Sequence, residues 1–310
     1  METVGIIGCG LIGRAWAMVF ARAGHPVRIY DNDQNAARNA VNLITQGLAD
    51  LQNAGLLSDT PSNISARITV HETIDDTLIG VSYVQENTLE NERIKREVFS
   101  ALDAAAAPHT ILASSTSMIP TSSFAGHLSG KARCIVAHPV NPPHVVPIVE
   151  VCPASFTDAK VIERTMKLHE SVGQVPVLIK KELQGFVLNR LQGALLSEAF
   201  RLVEDGYISA DDLDKTIKDG LGLRWSFMGP FETIDLNAPG GVADYCERFS
   251  AGYYEMATSA QSQPRHWSKA LVEAIHQERR SALPTQKRAE RSAWRDRRLM
   301  ALMAHKRKAD

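Results

Sequence analysis

Thr3-Val-Gly-Ile-Ile-Gly8-Cys-Gly-Leu-Ile-Gly13-Arg-Ala-Trp-Ala-Met-Val-Phe-Ala21 stands near the start of the chain, and its reading decides the fold. Thr3 to Ile7 is a short apolar strand, Gly8 to Gly13 carries the spacing G-x-G-x-x-G, and Ala15 to Ala21 continues as a helix that ends at Gly24 before Pro26. The three glycines serve different ends. Gly8 permits the tight turn, Gly10 lets the backbone approach a pyrophosphate, and Gly13 lets the helix pack closely on the strand. Phosphate charge then meets the positive end of the helix and its free amides, those of Leu11 and Ile12 among them. A second strand, Val27 to Tyr30, leads into Asp31, 23 residues after Gly8. A carboxylate there accepts hydrogen bonds from the adenosine ribose hydroxyls and repels a 2′-phosphate. Asn32, Asp33 and Gln34 follow it, with no Arg to hold such a phosphate, so the expected cofactor is NAD rather than NADP.

Outward from this stretch, strands and helices alternate to about residue 180. A helix is expected over Gln34 to Leu57, broken at Gly55, and another over Glu92 to Leu102, with Ile94, Val98 and Leu102 on one side. Strands are expected at Arg67–Val70, Val81–Glu86, Thr110–Ala113, Arg133–Ala137, Val145–Val151 and Val175–Ile179, with a helix from Asp158 to Glu170. Such alternation predicts an α/β architecture, a Rossmann-type doubly wound and mostly parallel sheet. From Gly185 the pattern is helical alone, which predicts an all-helical C-terminal domain. The boundary falls between Lys181 and Gly185, giving residues 1–183 as the NAD-binding domain and 184–310 as the helical domain for substrate and dimerisation.

Cys134-Ile-Val-Ala-His138-Pro-Val-Asn-Pro-Pro143 places His138 at the carboxyl end of a buried strand. Glu150 follows twelve positions later among Ile148, Val149 and Val151. A carboxylate in such company needs a partner, because burying an unpaired charge is costly. An imidazole is the natural one, and a His held by a carboxylate has a fixed tautomer and raised basicity, as a general base needs.

Composition is that of an ordinary soluble enzyme: 44% hydrophobic, 22% charged and a net charge of −1 over 310 residues. Mean hydropathy is −0.15, and no stretch reaches the roughly 20 apolar residues of a membrane span. Nothing here asks for a nucleic acid or a membrane as partner. Met1-Glu2-Thr3 leaves no room for a signal peptide before the first strand, and Cys9, Cys134, Cys152 and Cys246 show no metal-ligand spacing. Free thiols in the cytoplasm are expected, with no metal. The last 47 residues hold 13 Lys/Arg against 5 Asp/Glu, whereas the rest of the chain has 21 against 30. Trp267, Leu271, Ile275, Trp294 and Met300 lie among those charges, so this segment reads as amphipathic helices packed on the body or on a second subunit.

Together these residues resemble the lambda-crystallin group of the 3-hydroxyacyl-CoA dehydrogenase superfamily, whose enzyme is L-gulonate 3-dehydrogenase, over nearly the whole chain. The likeness rests on Gly8–Gly13, Glu90-Asn91 with Lys95, Ser114-Ser-Thr-Ser117, Ala137–Pro143 with Glu150, Gly185–Leu191, Asp219–Arg224 and Gly229-Pro-Phe-Glu232. The resemblance implies His138 and Glu150 as base and orienter, and Ser117 and Asn189 as hydrogen-bonding groups around the reacting hydroxyl. It implies Glu90 and Lys95 as contacts to the nicotinamide half of the cofactor, and a homodimer formed through the helical domain. Taken alone, Ser117 also reads as a helix cap before Pro120, and Asn189 as a buried structural amide.

Departures bear on the substrate. Acyl-CoA enzymes of the superfamily carry a Lys-rich hairpin after the second strand, yet Gln46 to Thr60 here holds two Asp and no Lys or Arg. Arg224 stands where those enzymes lack an Arg, and L-carnitine dehydrogenases resemble the chain there. A guanidinium suits a free carboxylate, although Arg224 alone also reads as a surface salt bridge. The expected activity is NAD-dependent oxidation of the 3-hydroxyl of a small free hydroxy acid, L-gulonate first. A 3-hydroxyacyl-CoA or carnitine is the alternative, and a non-catalytic crystallin the remote one.

Overall fold

The computed structural model describes residues 1–259 and 265–309; residues 264 and 310, the two ends of the basic segment, lie outside them. Eight strands form one sheet: β1 (Val4–Ile7), β2 (Val27–Tyr30), β3 (Ile68–Val70), β4 (Tyr83–Glu86), β5 (Ile111–Ser114), β6 (Cys134–Pro139), β7 (Ile148–Pro153) and β8 (Val175–Leu178). Their order is β3-β2-β1-β4-β5-β6-β7-β8. Neighbours are parallel except β6 and β7, which pair antiparallel. The order reverses between β1 and β4, the point at which open α/β sheets take their ligands.

β1, β4, β5 and β6 are buried at every position, as strands covered on both faces must be. Side-chain alternation divides them between two apolar layers. Tyr83, Ala113, Ile135 and Ala137 join Trp16 and Phe20 of helix α1 (Leu11–Arg22) and Ile44 and Leu48 of helix α2 (Gln34–Asn53). On the other face Val84, Leu112 and Val136 meet Phe99, Phe124 and Phe186. The carboxylate of Asp33 caps α2 by accepting from the amides of Asn35 and Ala36. The helix stops at Asn53, next to the break expected at Gly55, where the chain turns with a φ of 69°.

Two compact units result: Met1–Asn189 with Glu290–Asp310, and Arg190–Ala289. This differs in two ways from a single break after residue 183. The first turn of the helix Phe186–Glu204 stays with the sheet, because its amides bind Glu150. The last helix, Arg288–Ala309, returns to the sheet unit instead of staying with the helices before it. Met300 is buried in the α1/α2 layer, Leu299 and Met303 pack beside it, and Arg307 donates to the Leu56 carbonyl. The basic segment is therefore in part a structural strap. The second unit is helical, and its helix Ala210–Lys215 is capped by the Ser209 hydroxyl, which accepts from the Asp212 amide. Among the described residues no helix is long and apolar enough to cross a membrane, and no acid, His or Cys cluster could hold a metal.

His169 is fully buried against Trp16, Phe20 and Tyr83. Burial pushes its imidazole down to about 3, so the folded state refuses a proton that the unfolded chain accepts near 6.5. This group's contribution to stability is intact above 6.5 and falls as pH drops towards 3, by about 1.4 kcal/mol per pH unit. His169→Gln, which cannot titrate, should therefore lose less Tm than the parent between pH 7 and 4. Equal losses in thermal melts would assign the acid sensitivity to other groups.

Candidate active site

The G-x-G-x-x-G turn follows β1. Gly8 has a φ of 90°, and a Cβ there would press to 2.8 Å from the Asn87 carbonyl. A Cβ on Gly13 would collide with the Gly8 carbonyl, so α1 lies against the turn as only glycine allows. At Gly10 an added Cβ meets nothing, since that position faces open space, which a pyrophosphate needs if it is to reach the backbone. No side chain caps α1, so the first-turn amides at exposed Leu11 and half-buried Ile12 remain for an anion. Asp31 follows β2 and ties it to the turn: one carboxylate oxygen accepts from the Cys9 amide at 2.7 Å, the other from the Asp33 amide at 3.0 Å. A cleft of about 630 Å³ opens above these residues, lined by Gly8, Gly10, Asp31, Asn87, Thr88 and Leu89. Its place at the reversal of strand order, its glycine floor and its acid at the ribose position fit NAD.

β6 and β7 bring the second constellation together. Their antiparallel register sets His138 opposite Glu150. The imidazole Nδ1 lies 2.8 Å from Glu150 Oε2, and Oε1 accepts from the amides of Val187 and Leu188, each at 2.9 Å. Burial works to raise the Glu150 carboxyl, but hydrogen bonds from His138 and the Leu188 and Val187 amides outweigh it and hold the group below its ordinary value. Glu150 therefore stays ionised, which places the imidazole proton on Nδ1 and leaves the lone pair of Nε2 for a substrate. The Phe186 ring packs tilted against the His138 ring, with centroids 5.4 Å apart, and Phe186 takes a φ of 49° directly after Gly185. That left-handed turn, costly for a side-chain-bearing residue, aims the two amides at Glu150.

Lys95, expected at the nicotinamide half, is 1% exposed, with its ammonium 3.0 and 3.1 Å from the two oxygens of Glu86 and 3.9 Å from Glu90. Glu90 Oε1 in turn accepts from Thr116 Oγ and from the amides of Ser117 and Met118 at 2.7, 3.0 and 2.9 Å. Asn189 Nδ2 donates to the Ser117 carbonyl at 2.8 Å. Ser117 is thus tied by its main chain from both sides. It caps no helix, since the following short helix begins after Pro120. Sequence reasoning missed Glu86, an acid that closes the apolar run Val81–Glu86, whereas Glu150 stands within one. Arg224 lies in the second unit, on the short helix Gly222–Trp225, where it is exposed and makes no ion pair with any described carboxylate.

Comparison with known proteins supplies the family. Residues 3–183 match the NAD binding domain of 3-hydroxyacyl-CoA dehydrogenase, and residues 185–285 match its C-terminal domain. The lambda-crystallin homolog of Homo sapiens is 40% identical over 302 residues, covering 96% of this chain and 94% of its own. An L-carnitine dehydrogenase of Streptomyces coelicolor is 32% identical over 250 residues, covering 80% of this chain and 78% of its own. Among solved structures, an NAD+-dependent dismutase, 5-formyl-3-hydroxy-2-methylpyridine 4-carboxylic acid 5-dehydrogenase, aligns over 97% of both chains with a TM-score of 0.76 and 27% identity. A glycine turn built for NAD and a histidine oriented by glutamate accord with these matches: the chain belongs to the 3-hydroxyacyl-CoA dehydrogenase family, in its lambda-crystallin group, as an NAD-dependent oxidoreductase acting on CH–OH donors.

Proposed function

We propose that the chain oxidises the 3-hydroxyl of a small free hydroxy acid, with L-gulonate as first candidate. The observation that carries the chemistry is the His138–Glu150 pair, whose geometry leaves Nε2 as the basic nitrogen. Bound NAD supplies the hydride acceptor. His138 takes the hydroxyl proton, and Glu150 stabilises the imidazolium that results. Ser117 and Asn189 hold the oxygen as it becomes a carbonyl.

Support for a free acid comes from two places. Gln46 to Thr60 offers no cation to a CoA tail. Arg224 presents an exposed guanidinium with no ion pair to a described carboxylate, which weakens its reading as an intrachain salt bridge. Carnitine is the second reading, favoured by the similarity to an L-carnitine dehydrogenase. Working as a homodimer through the helical unit would cover exposed Phe231, Leu236 and Tyr254; a solution mass of one chain by light scattering would refute that. A cytoplasmic location accords with four free thiols, three of them buried.

The deciding experiment gives the enzyme NAD with L-gulonate, L-carnitine and 3-hydroxybutyryl-CoA in turn, and follows NADH absorbance. L-gulonate should be turned over with the highest kcat/KM. Arg224→Met, which keeps length but loses the fork, should raise its KM by about 10- to 100-fold with NADH affinity unchanged. Normal KM in that variant, or preference for the CoA ester, would remove the free-acid reading.

A further inference from the structure

Behind the cofactor cleft runs a chain of buried polar groups that the proposed chemistry does not use. Gln85 on β4 is fully buried, and so are Tyr83 and His169. Gln85 Nε2 donates to the Ala137 carbonyl at 3.0 Å and to Ser115 Oγ at 2.7 Å. Tyr83 Oη donates to Gln85 Oε1 at 2.8 Å and lies 3.0 Å from His169 Nε2. Ser115 Oγ also accepts from Trp16 Nε1 at 3.0 Å and donates to Asn87 Oδ1 at 2.7 Å, and Asn87 lines the cleft.

Every proton in this network has a forced direction. The Ala137 carbonyl can only accept, so the Gln85 amine must face it and the Gln85 oxygen must face Tyr83. The single Tyr83 proton then goes to Gln85, and His169 must donate from Nε2. Its Nδ1, buried and without a partner, is left as a bare lone pair, which costs less than a stranded N–H. Trp16 and Gln85 both donate to Ser115, so its own proton goes to Asn87.

Strand lengths explain why Gln85 is needed. β5 pairs with β6 only as far as Ser114 opposite Val136, whereas β6 runs on to Pro139. On that side the Ala137 carbonyl has outrun its strand partner. Gln85 is in register with Ala113 on the intervening strand, and the small methyl of Ala113 leaves its side chain room to cross. We infer that Gln85 is a positioning residue for His138: its carboxamide supplies the donor that β5 cannot, and so fixes the end of β6 from which the imidazole projects. This rests on the reading of His138 as the base.

The test uses full-length protein labelled with ¹⁵N at histidine, with the His138 resonances assigned by their loss in His138→Gln. Gln85→Met fills the same space without donor or acceptor. It should move the His138 Nδ1 resonance and lower kcat for L-gulonate by about tenfold, since small displacements of a catalytic group are costly in rate. KM for NAD should change less than about threefold. A purely structural Gln85 would lower Tm and leave both the resonance and kcat in place, and that result overturns the inference. Should Gln85→Met not fold, Tyr83→Phe decides: releasing the amide oxygen should move the same resonance, and an unmoved one overturns the inference. His138→Ala in the same assay separates the two failures, because retained turnover there sinks the base assignment itself.

Discussion

His138→Ala should turn over at least about 100-fold more slowly than the parent while binding NADH with an unchanged Kd. The expected size follows from the role: a positioned base contributes on the order of 100- to 10,000-fold, and no other described group stands ready to replace it. Cofactor affinity is spared because the glycine turn and Asp31, which make the cleft, do not touch the imidazole. Glu150→Gln supplies a second measurement. It keeps the shape but removes the anion that fixes the imidazole tautomer and stabilises the imidazolium formed in the reaction, so kcat should fall. It also weakens the acceptor for the Val187 and Leu188 amides, so a lower Tm should accompany the kinetic loss. Stopped-flow turnover and NADH fluorescence titration check both. A His138→Ala enzyme with near-parental kcat would remove the residue from the chemistry.

The cofactor preference should be as large. NAD should exceed NADP in kcat/KM by about 100-fold or more, because a 2′-phosphate would meet the Asp31 carboxylate. Two backbone amides hold that carboxylate in place, so it cannot swing aside to admit the phosphate. The same bonds say what a simple deletion does. Asp31→Ser frees the Cys9 amide and should weaken NAD as well as relieve NADP, narrowing the ratio from both ends. Equal kcat/KM for the two cofactors in the parent would show that the acid does not read the ribose.

Legibility in the sequence followed the range of the interactions. The glycine turn, Asp31 and the strand alternation were readable because each depends on neighbours within about 30 residues in one βαβ unit. The His138–Glu150 pair was readable for a related reason: an acid among aliphatic residues must be satisfied, and the histidine lies one hairpin away. Glu86 with Lys95 and Gln85 with Ala137 were missed, whereas packing of the basic segment on the body or a second subunit was expected, and Met300 in the α1/α2 layer shows the first of these. Ala137 lies 52 residues from Gln85, and no periodicity announces a side chain that crosses a strand; Lys95 is only 9 residues from Glu86, but an acid that closes a strand can equally face solvent. Lys95 shows the limit of reading by resemblance: its position was marked, but only the packing reveals that Glu86 holds its charge.

The return of the last helix to the sheet unit has a consequence for how the chain is made. Synthesis is vectorial, and the 100 residues Arg190–Ala289 separate the sheet from the helix that completes its core. At roughly 5–20 residues per second, the ribosome takes about 5–20 s to cross that insertion. Throughout that interval the nascent sheet unit lacks Met300 and its neighbours, and the apolar surface they cover stays open to water or a chaperone. Of the two units, the one that binds the cofactor starts before the helical one and closes after it.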